Sequence, residues 1–432
     1  MEKISQIDLS TTLAGVKMRS SLGVSPHNLD KPWFPGTKAA ELFKKYIDAG
    51  AGFIYIPAIV PGEPSKAEKN LDFTTLFENQ QYVGRWLKVK ADGKSVMGHI
   101  YTAKNLFNFL PWGRELIENI KLYLPPDVPV IAQVLVHDVD PEKWAKHAEK
   151  VASLGVYLIE LNTGCPVGAM SHIDPRKLPP EAKWGMFMGT APEILLPVLK
   201  AVVEATHLPV GFKLSPEVGY PRMLYVVEES VKVGIRYVVT THKYFAVAPP
   251  DIWNNGAGKF PALDSNCLAD FGGPALRLSM YKATALVSKY FPQIDTFAGG
   301  GIVSPEHVIE AIMLGASACQ TLTGVVCGGI KFLSRTNEWL YEYMKKCGYT
   351  KIEDFKGMGL KHLQSSTEAK FRYYVAKPDF KLCTGCGKCA ESYCPAITMQ
   401  EGRPVVDGRY CSCCGMCNFI CPVDAFKYVS RG

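Results

Sequence analysis

Long apolar runs are missing from this sequence: none approaches the ~18 residues that a membrane-spanning helix requires. No N-terminal stretch joins a basic region to an apolar core and a small-residue cleavage site, so a secretory signal is not expected. A strong excess of one charge is missing too. The formal charge is +7 over 432 residues, with lysines and arginines scattered among the acids, which speaks for a solvated mixed surface and against a nucleic-acid partner. No GxGxxG opens a helix after a strand, so no pyridine-nucleotide site is expected. These absences predict a cytoplasmic chain with neither a membrane nor a nucleic-acid partner. Its 47% of hydrophobic residues can bury a sizeable core, and its length suggests two or three domains.

Cysteine is present in quantity and is unevenly placed. Of 14 cysteines, nine fall between Cys383 and Cys421. In a reducing cytoplasm, dense cysteines point to metal ligation rather than disulfides. Cys411, Cys414, Cys417 and Cys421 follow the spacing C-x2-C-x2-C-x3-C-P within "CSCCGMCNFICPVD". Upstream, "CTGCGKCAESYCP" supplies Cys383, Cys386, Cys389 and Cys394, with one extra residue before the fourth. Three close thiolates can wrap one side of a cubane while a distant fourth closes the other cluster. The expected sets are therefore Cys383, Cys386, Cys389 and Cys421 for one [4Fe-4S] cluster, and Cys411, Cys414, Cys417 and Cys394 for the second. Pro395 and Pro422 turn the chain away after each remote ligand, and Cys413 falls outside the pattern. Two zinc sites would instead call for separated CxxC pairs with four local ligands each. The stretch resembles a bacterial two-cluster ferredoxin.

A ferredoxin tail conducts electrons but transforms no substrate, so the chemistry must lie upstream. Residues 1–330 hold eight short apolar runs bounded by turn signals, at 22–26, 52–60, 129–136, 157–164, 209–216, 237–242, 295–302 and 318–325. Helical patterns such as "DPEKWAKHAEKVASLG" and "APEILLPVLKAVVEAT" separate most of them. Eight strands alternating with helices predict an α/β fold, a (β/α)8 TIM barrel with its site at the C-terminal strand ends. A doubly wound sheet is the alternative. "ISQIDLSTTLAGVKM" reads as a hairpin plugging the barrel bottom. Residues 331–377 read as a terminal helix and linker, and 378–432 as the iron–sulfur domain.

The strand ends carry polar residues. Gly299, Gly300 and Gly301 after the seventh run and "TLTGV" at the eighth could seat a phosphate, although glycines there also serve plain turns. Lys213 closes an otherwise apolar fifth run, where an unpaired lysine is rarely buried; it faces an anionic or electron-rich group or snorkels to the rim. Asn162 and Cys165 follow the fourth run. A cysteine there can be a packed thiol, but its polar, Gly- and Pro-rich surroundings favour catalysis.

"ELNTGCP", "GFKLSP", "FAGGGI" and "TLTG", in that order and spacing, resemble the FMN barrel of the dihydroorotate dehydrogenases. The dihydropyrimidine dehydrogenases are similar over essentially the whole chain, because they too follow the barrel with a two-cluster ferredoxin domain. The resemblance implies FMN held by Gly23, Val24 and Ser25, by Gln133 and Asn162 along the ring, and by Lys213 near its N1 edge. Thr241, Gly272 and Gly273 join that cofactor set, and the phosphate falls to Gly300, Gly301, Thr323 and Gly324. It implies Cys165 as the acid or base opposite the flavin, with His242 and Lys213 also in the catalytic set. Asn108, Asn162, His242 and Lys243 would touch the substrate.

Departures from the family fall on the substrate side. Pro57 and Ala58 replace a Lys-Thr pair, His242 and Lys243 replace an Asn-Thr pair, and Asn108-Phe109-Leu110 lacks the acid of an NxE motif. The loop after Cys165 is also longer. The expectation is an oxidoreductase that reduces or oxidises a C=C bond conjugated to a carbonyl in a small electron-poor ring other than a pyrimidine, with electrons entering through the clusters. Its partner would be an NAD(P)H-oxidising reductase subunit or a soluble ferredoxin, in a homo- or hetero-oligomer. A pyrimidine enzyme proper, a relay subunit whose flavin meets no substrate, and a non-redox phosphate-binding barrel are the competing readings.

Overall fold

In the computed structural model the residues described are 7–27, 36–63, 81–88, 96–104, 108–163, 188–189, 191–241, 243–258, 260, 265–392 and 394–431. The chain divides into two compact units, Met1–Leu363 and Gln364–Gly432.

The eight apolar runs all become parallel strands of the first unit. In chain order they are Leu22–Val24, Ile54–Val60, Val130–Val134, Leu158–Leu161, Val210–Lys213, Tyr237–Val239, Asp295–Gly299 and Ala316–Thr321. Each pairs with its neighbour in the order first–eighth–seventh–sixth–fifth–fourth–third–second. The ring closes between the first and second strands, where Gly52 N–H donates to the Leu22 carbonyl at 2.8 Å. Helices such as Pro141–Ala152 and Pro192–Ala205 cover the outside; the former has Asp140 as N-cap and Pro141 in its first turn, as its sequence dictates. The fold is a (β/α)8 barrel.

Side chains alternate across each strand, so residues two apart share the lumen. One lumen layer is apolar: Phe53, Tyr55, Ile131, Leu158, Tyr237, Val239, Phe297 and Ala318 pack with Leu13 and Met18 in one buried cluster. Leu13 and Met18 belong to an N-terminal hairpin, Thr11–Leu13 against Val16–Met18, which plugs this end. Asp295 tethers the plug, accepting from Ala14 N–H at 2.7 Å.

An antiparallel sheet of four strands, ordered Tyr244–Val247, Leu268–Gly272, Val96–Lys104 and Gln81–Lys88, is an addition that the strand–helix alternation does not announce. Pro57 and Ala58 lie inside the second barrel strand, at an irregularity in the register between Ile56 and Ile59. A proline has no N–H for the ladder and belongs at such a break.

The second unit begins earlier than the sequence suggests. Helix Phe332–Cys347 and the short turns that follow it group with the barrel unit. Strand Tyr374–Pro378, expected in the linker, pairs antiparallel with Phe426–Ser430 in the tail. A second hairpin joins Ile397–Gln400 to Arg403–Val406. Short helices Lys388–Glu391 and Met416–Ile420 each carry the third cysteine of a motif, Cys389 and Cys417.

Candidate active site

Two residues beyond the apolar layer, the third, fourth and fifth strands turn polar inside the lumen. Gln133 follows Ile131, Glu160 follows Leu158, and Lys213 ends the fifth strand; none is more than 7% exposed. These side chains form a chain of contacts across three strands. Asn162 Nδ2 donates to Gln133 Oε1 at 3.2 Å. Gln133 Nε2 donates to Glu160 Oε1 at 2.5 Å. Lys213 Nζ stands 3.4 Å from that same oxygen and 5.7 Å over the Tyr55 ring. Thr163 Oγ1 donates to the Lys213 carbonyl at 2.8 Å and fixes the fourth strand end against the fifth.

Burial pushes the Glu160 carboxyl up to about 7, with the Lys213 ammonium acting in the opposite sense. Several polar atoms here have no hydrogen-bond partner among the described residues: Asn162 Oδ1, Glu160 Oε2, Tyr55 Oη and Gln320 Nε2. Each such orphan costs about 1–3 kcal/mol when buried. Asn162, Glu160 and Gln320 present these atoms from the strand ends above the apolar layer, and their chemistry suits a polar ligand.

At the seventh strand end, Gly300 and Gly301 have φ of +116° and +78°. A Cβ on Gly300 would sit 2.4 Å from Thr241 Cγ2, and one on Gly301 2.7 Å from the Arg277 backbone nitrogen. Only glycine fits there. Thr321 Oγ1 donates to the Ile302 carbonyl at 2.6 Å and accepts from Gly324 N–H at 3.0 Å, joining the ends of strands seven and eight. Ser25 N–H donates to the Thr321 carbonyl at 3.0 Å, which brings in the end of the first strand with Gly23 and Val24. Thr323 is buried. Gly272 ends a strand of the antiparallel sheet, and Gly273 follows with φ of 111°. These backbone segments fit an anionic group presented to bare main chain.

Cys165 and His242 lie outside the described residues. Lys243 is ion-paired at 3.7 Å with the buried carboxylate of Asp270, on the antiparallel sheet. Burial raises the Asp270 carboxyl, and Lys243 opposes that rise. Asn108 opens a two-residue strand paired with Ile59 of the second barrel strand. The sequence reading missed Glu160, Gln320, Tyr55 and Asp270. A charged residue in an apolar strand run, as in "YLIELN", was the available signal for Glu160.

In the second unit, Cys383, Cys386, Cys389 and Cys421 line one cleft with Thr384, Gly385, Gly387, Pro404, Val423 and Phe426. Burial pushes the Cys389 thiol up, and the charges of Cys383 and Cys386 add to this. Burial likewise pushes Cys417 up, with the charges of Cys411 and Cys394 adding. The remote cysteine of each motif thus neighbours the other motif. The two motifs share a backbone pattern: Gly387 and Gly415 have φ of 77° and 86°, and Gly385 at 72° is matched by Cys413 at 58°. Cys413 occupies a glycine's place.

A family model described as dihydroorotate dehydrogenase matches residues 112–344. The chain is 31% identical over 236 residues to the dihydroorotate dehydrogenase B (NAD(+)), catalytic subunit, of Pyrococcus horikoshii, covering 54% of this chain and 69% of that protein. It is 25% identical over 359 residues to the protein of the same description from Thermoplasma volcanium, covering 82% and 99%. It is 23% identical over 313 residues to the NAD-dependent dihydropyrimidine dehydrogenase subunit PreA of Escherichia coli strain K12, covering 70% and 72%. The matched segment carries six of the eight barrel strands and the Gln133–Glu160–Lys213 contacts. The chain is a member of the dihydroorotate dehydrogenase family.

Proposed function

We propose that this protein is a flavin- and iron–sulfur-dependent oxidoreductase acting on a CH–CH bond. It interconverts a C=C bond conjugated to a carbonyl and its reduced form in a small, cyclic, electron-poor substrate. The observation that carries this reading is the buried polar layer Asn162–Gln133–Glu160–Lys213 with its orphaned atoms, on a barrel whose seventh strand ends in the left-handed Gly300–Gly301 turn. The names of the relatives agree with it, since both dihydroorotate and dihydropyrimidine dehydrogenases act on such bonds.

The cofactor set is FMN and two [4Fe-4S] clusters. When bound, FMN exchanges hydride with a substrate and electrons singly with iron–sulfur clusters. Gln133 and Asn162 orient the ring, and Lys213 offsets negative charge at its N1–C2=O edge. Gly300, Gly301, Thr323 and Gly324 take the phosphate, with Gly23, Val24, Ser25, Thr241, Gly272 and Gly273 completing the cradle. Cys165 exchanges the proton at the carbon next to the hydride acceptor, and His242 shares that work or binds a carbonyl. His242, Lys243 and Asn108 stand where the family's pyrimidine contacts are replaced, so the ring is not a standard pyrimidine.

For the clusters, the support is the cleft shared by Cys383, Cys386, Cys389 and Cys421 and the closeness of Cys394 to Cys417. Among the described residues no three His, Cys, Asp or Glu side chains converge as ligands of a single ion. A cubane asks for something else, one thiolate at each of the four iron corners of a larger body. Electrons would enter there from an NAD(P)H-oxidising subunit or a soluble ferredoxin; the PreA relative is itself named a subunit. No described helix is long and apolar enough to cross a membrane.

The deciding experiment is anaerobic purification followed by flavin extraction and by reduction with dithionite and reoxidation with candidate cyclic enones, enamides and pyrimidines. Bound FMN reoxidised by a cyclic enone or enamide supports the reading, whereas reoxidation by pyrimidines alone keeps the flavin assignment and overturns the choice of ring. A chain that takes up no flavin, or a flavin that none of these compounds reoxidises, overturns it.

A further inference from the structure

Glu160 is given no role of its own in the reading above, yet it stands at the centre of the polar layer. Its Oε1 accepts from Gln133 Nε2 at 2.5 Å and faces Lys213 Nζ at 3.4 Å. Its side chain is wholly buried, and Oε2 has no hydrogen-bond partner among the described residues. Among the described residues the titratable groups packed around it are Lys213 from the fifth strand, Tyr237 from the sixth and, beneath Lys213, Tyr55 from the second. The Tyr237 hydroxyl is committed to the Ile159 carbonyl at 2.9 Å, and burial holds it protonated. Lys213 is therefore the one cation in contact with Glu160 among the described residues. One oxygen thus gathers two donors from the strands on either side.

We propose that Glu160 is a positioning residue for the flavin: it fixes the Lys213 ammonium and the Gln133 carboxamide toward the ring, and its charge decides how much of the Lys213 cation remains for the N1–C2=O edge. This rests on the flavin reading of the site. An ionised Glu160 neutralises Lys213, whereas a protonated Glu160 still accepts from both donors and leaves the cation whole. Negative charge arriving at that edge on reduction draws on the cation and so favours protonation of Glu160. One solvent proton then binds the carboxylate, with no bond of the ring involved. Burial has already lifted this carboxyl to about 7, so the exchange falls in the neutral range.

The test uses the holoenzyme with Glu160→Gln and Glu160→Ala. Glutamine keeps the shape and an acceptor oxygen but cannot titrate. Glu160→Gln is expected to bind FMN close to wild type, with a flavin potential that responds to pH by one proton fewer per electron pair across neutrality. Glu160→Ala strands both donors, and reconstitution of the stripped enzyme should show FMN binding weakened by roughly 10-fold or more. Wild-type proton stoichiometry in Glu160→Gln, or wild-type FMN affinity in Glu160→Ala, overturns the proposal. A wild-type chain that takes up no FMN overturns the flavin reading itself, and this assignment with it.

Discussion

The backbone N–H of Gly189 donates to the carbonyl of Thr163 at 2.9 Å, so the stretch between them leaves and rejoins the barrel at one buried point. Met188 and Thr163 are both fully buried. Whatever residues 164–187 do, their anchor is part of the scaffold. Substitutions within that stretch are therefore expected to change chemistry with little effect on barrel stability. Cys165→Ser should retain FMN and both clusters and slow turnover by roughly 10²-fold or more, as loss of a general acid does. Cys165→Ala should do at least as much, and His242→Ala should mainly weaken substrate binding. Steady-state kinetics separates these; an active Cys165→Ala beside a dead His242→Ala would exchange the two roles.

Lys213→Ala removes the cation from the polar layer and leaves Glu160 buried without its charge partner. Glu160 then takes a proton, which limits the structural damage. The expected result is a folded barrel with a lower flavin potential or lower flavin occupancy, read by redox titration and by extraction. An unchanged potential in a fully loaded variant speaks against contact between Lys213 and the ring.

The stability of the flavin-free chain should carry the signature of Glu160. Folding raises this carboxyl from its ordinary 4.5 to about 7, so the folded state holds the proton more tightly than the unfolded one. Its contribution to stability is fully present below about 4.5 and is lost as pH rises through about 7. Thermal melts of apo wild type and apo Glu160→Gln should therefore diverge with rising pH, the glutamine variant losing less. Parallel curves would count against the raised carboxyl.

The purified chain should contain about eight irons and eight sulfides, because two complete thiolate sets are present. Replacing Cys421 should damage the cluster of the first motif, since Cys421 shares a cleft with Cys383, Cys386 and Cys389. Cys413→Gly should leave both clusters intact. It should also stabilise the tail by about 1 kcal/mol, by placing glycine where Cys413 now holds a φ of 58°. Iron and acid-labile sulfide analysis and thermal melts check these outcomes; four irons, or zinc, would dismiss the two-cluster assignment.

The barrel was legible because each parallel strand is buried on both faces and so reads as a short apolar run between turn residues. The antiparallel sheet was not, because its four strands come from two distant chain segments and add to no strand–helix rhythm. Lys213 and Asn162 stood out as polar residues at strand ends. Glu160 did not, because its partners Gln133 and Lys213 lie on other strands, and only the closed ring brings three such positions onto one lumen layer. The tail boundary was misjudged for a similar reason: the pairing of Tyr374–Pro378 with Phe426–Ser430 is long-range and leaves no local mark.

The closure of the ring has a mechanical consequence. A Cβ on Gly23 would lie 2.5 Å from the Phe53 ring, and one on Gly52 1.9 Å from the Ser20 carbonyl oxygen, so the first and second strands meet through two bare glycines. Among the described residues the Gly52–Leu22 bond is the backbone link between them, whereas the first strand is joined to the eighth by a parallel ladder. Opening free energy follows local bonding, so this seam is expected to open before the neighbouring ladders. Hydrogen exchange should find the Gly52 amide less protected than those of the neighbouring ladders. The seam borders Gly23–Ser25, a segment proposed to cradle the flavin, so exchange of the Gly52 amide should slow when FMN is bound.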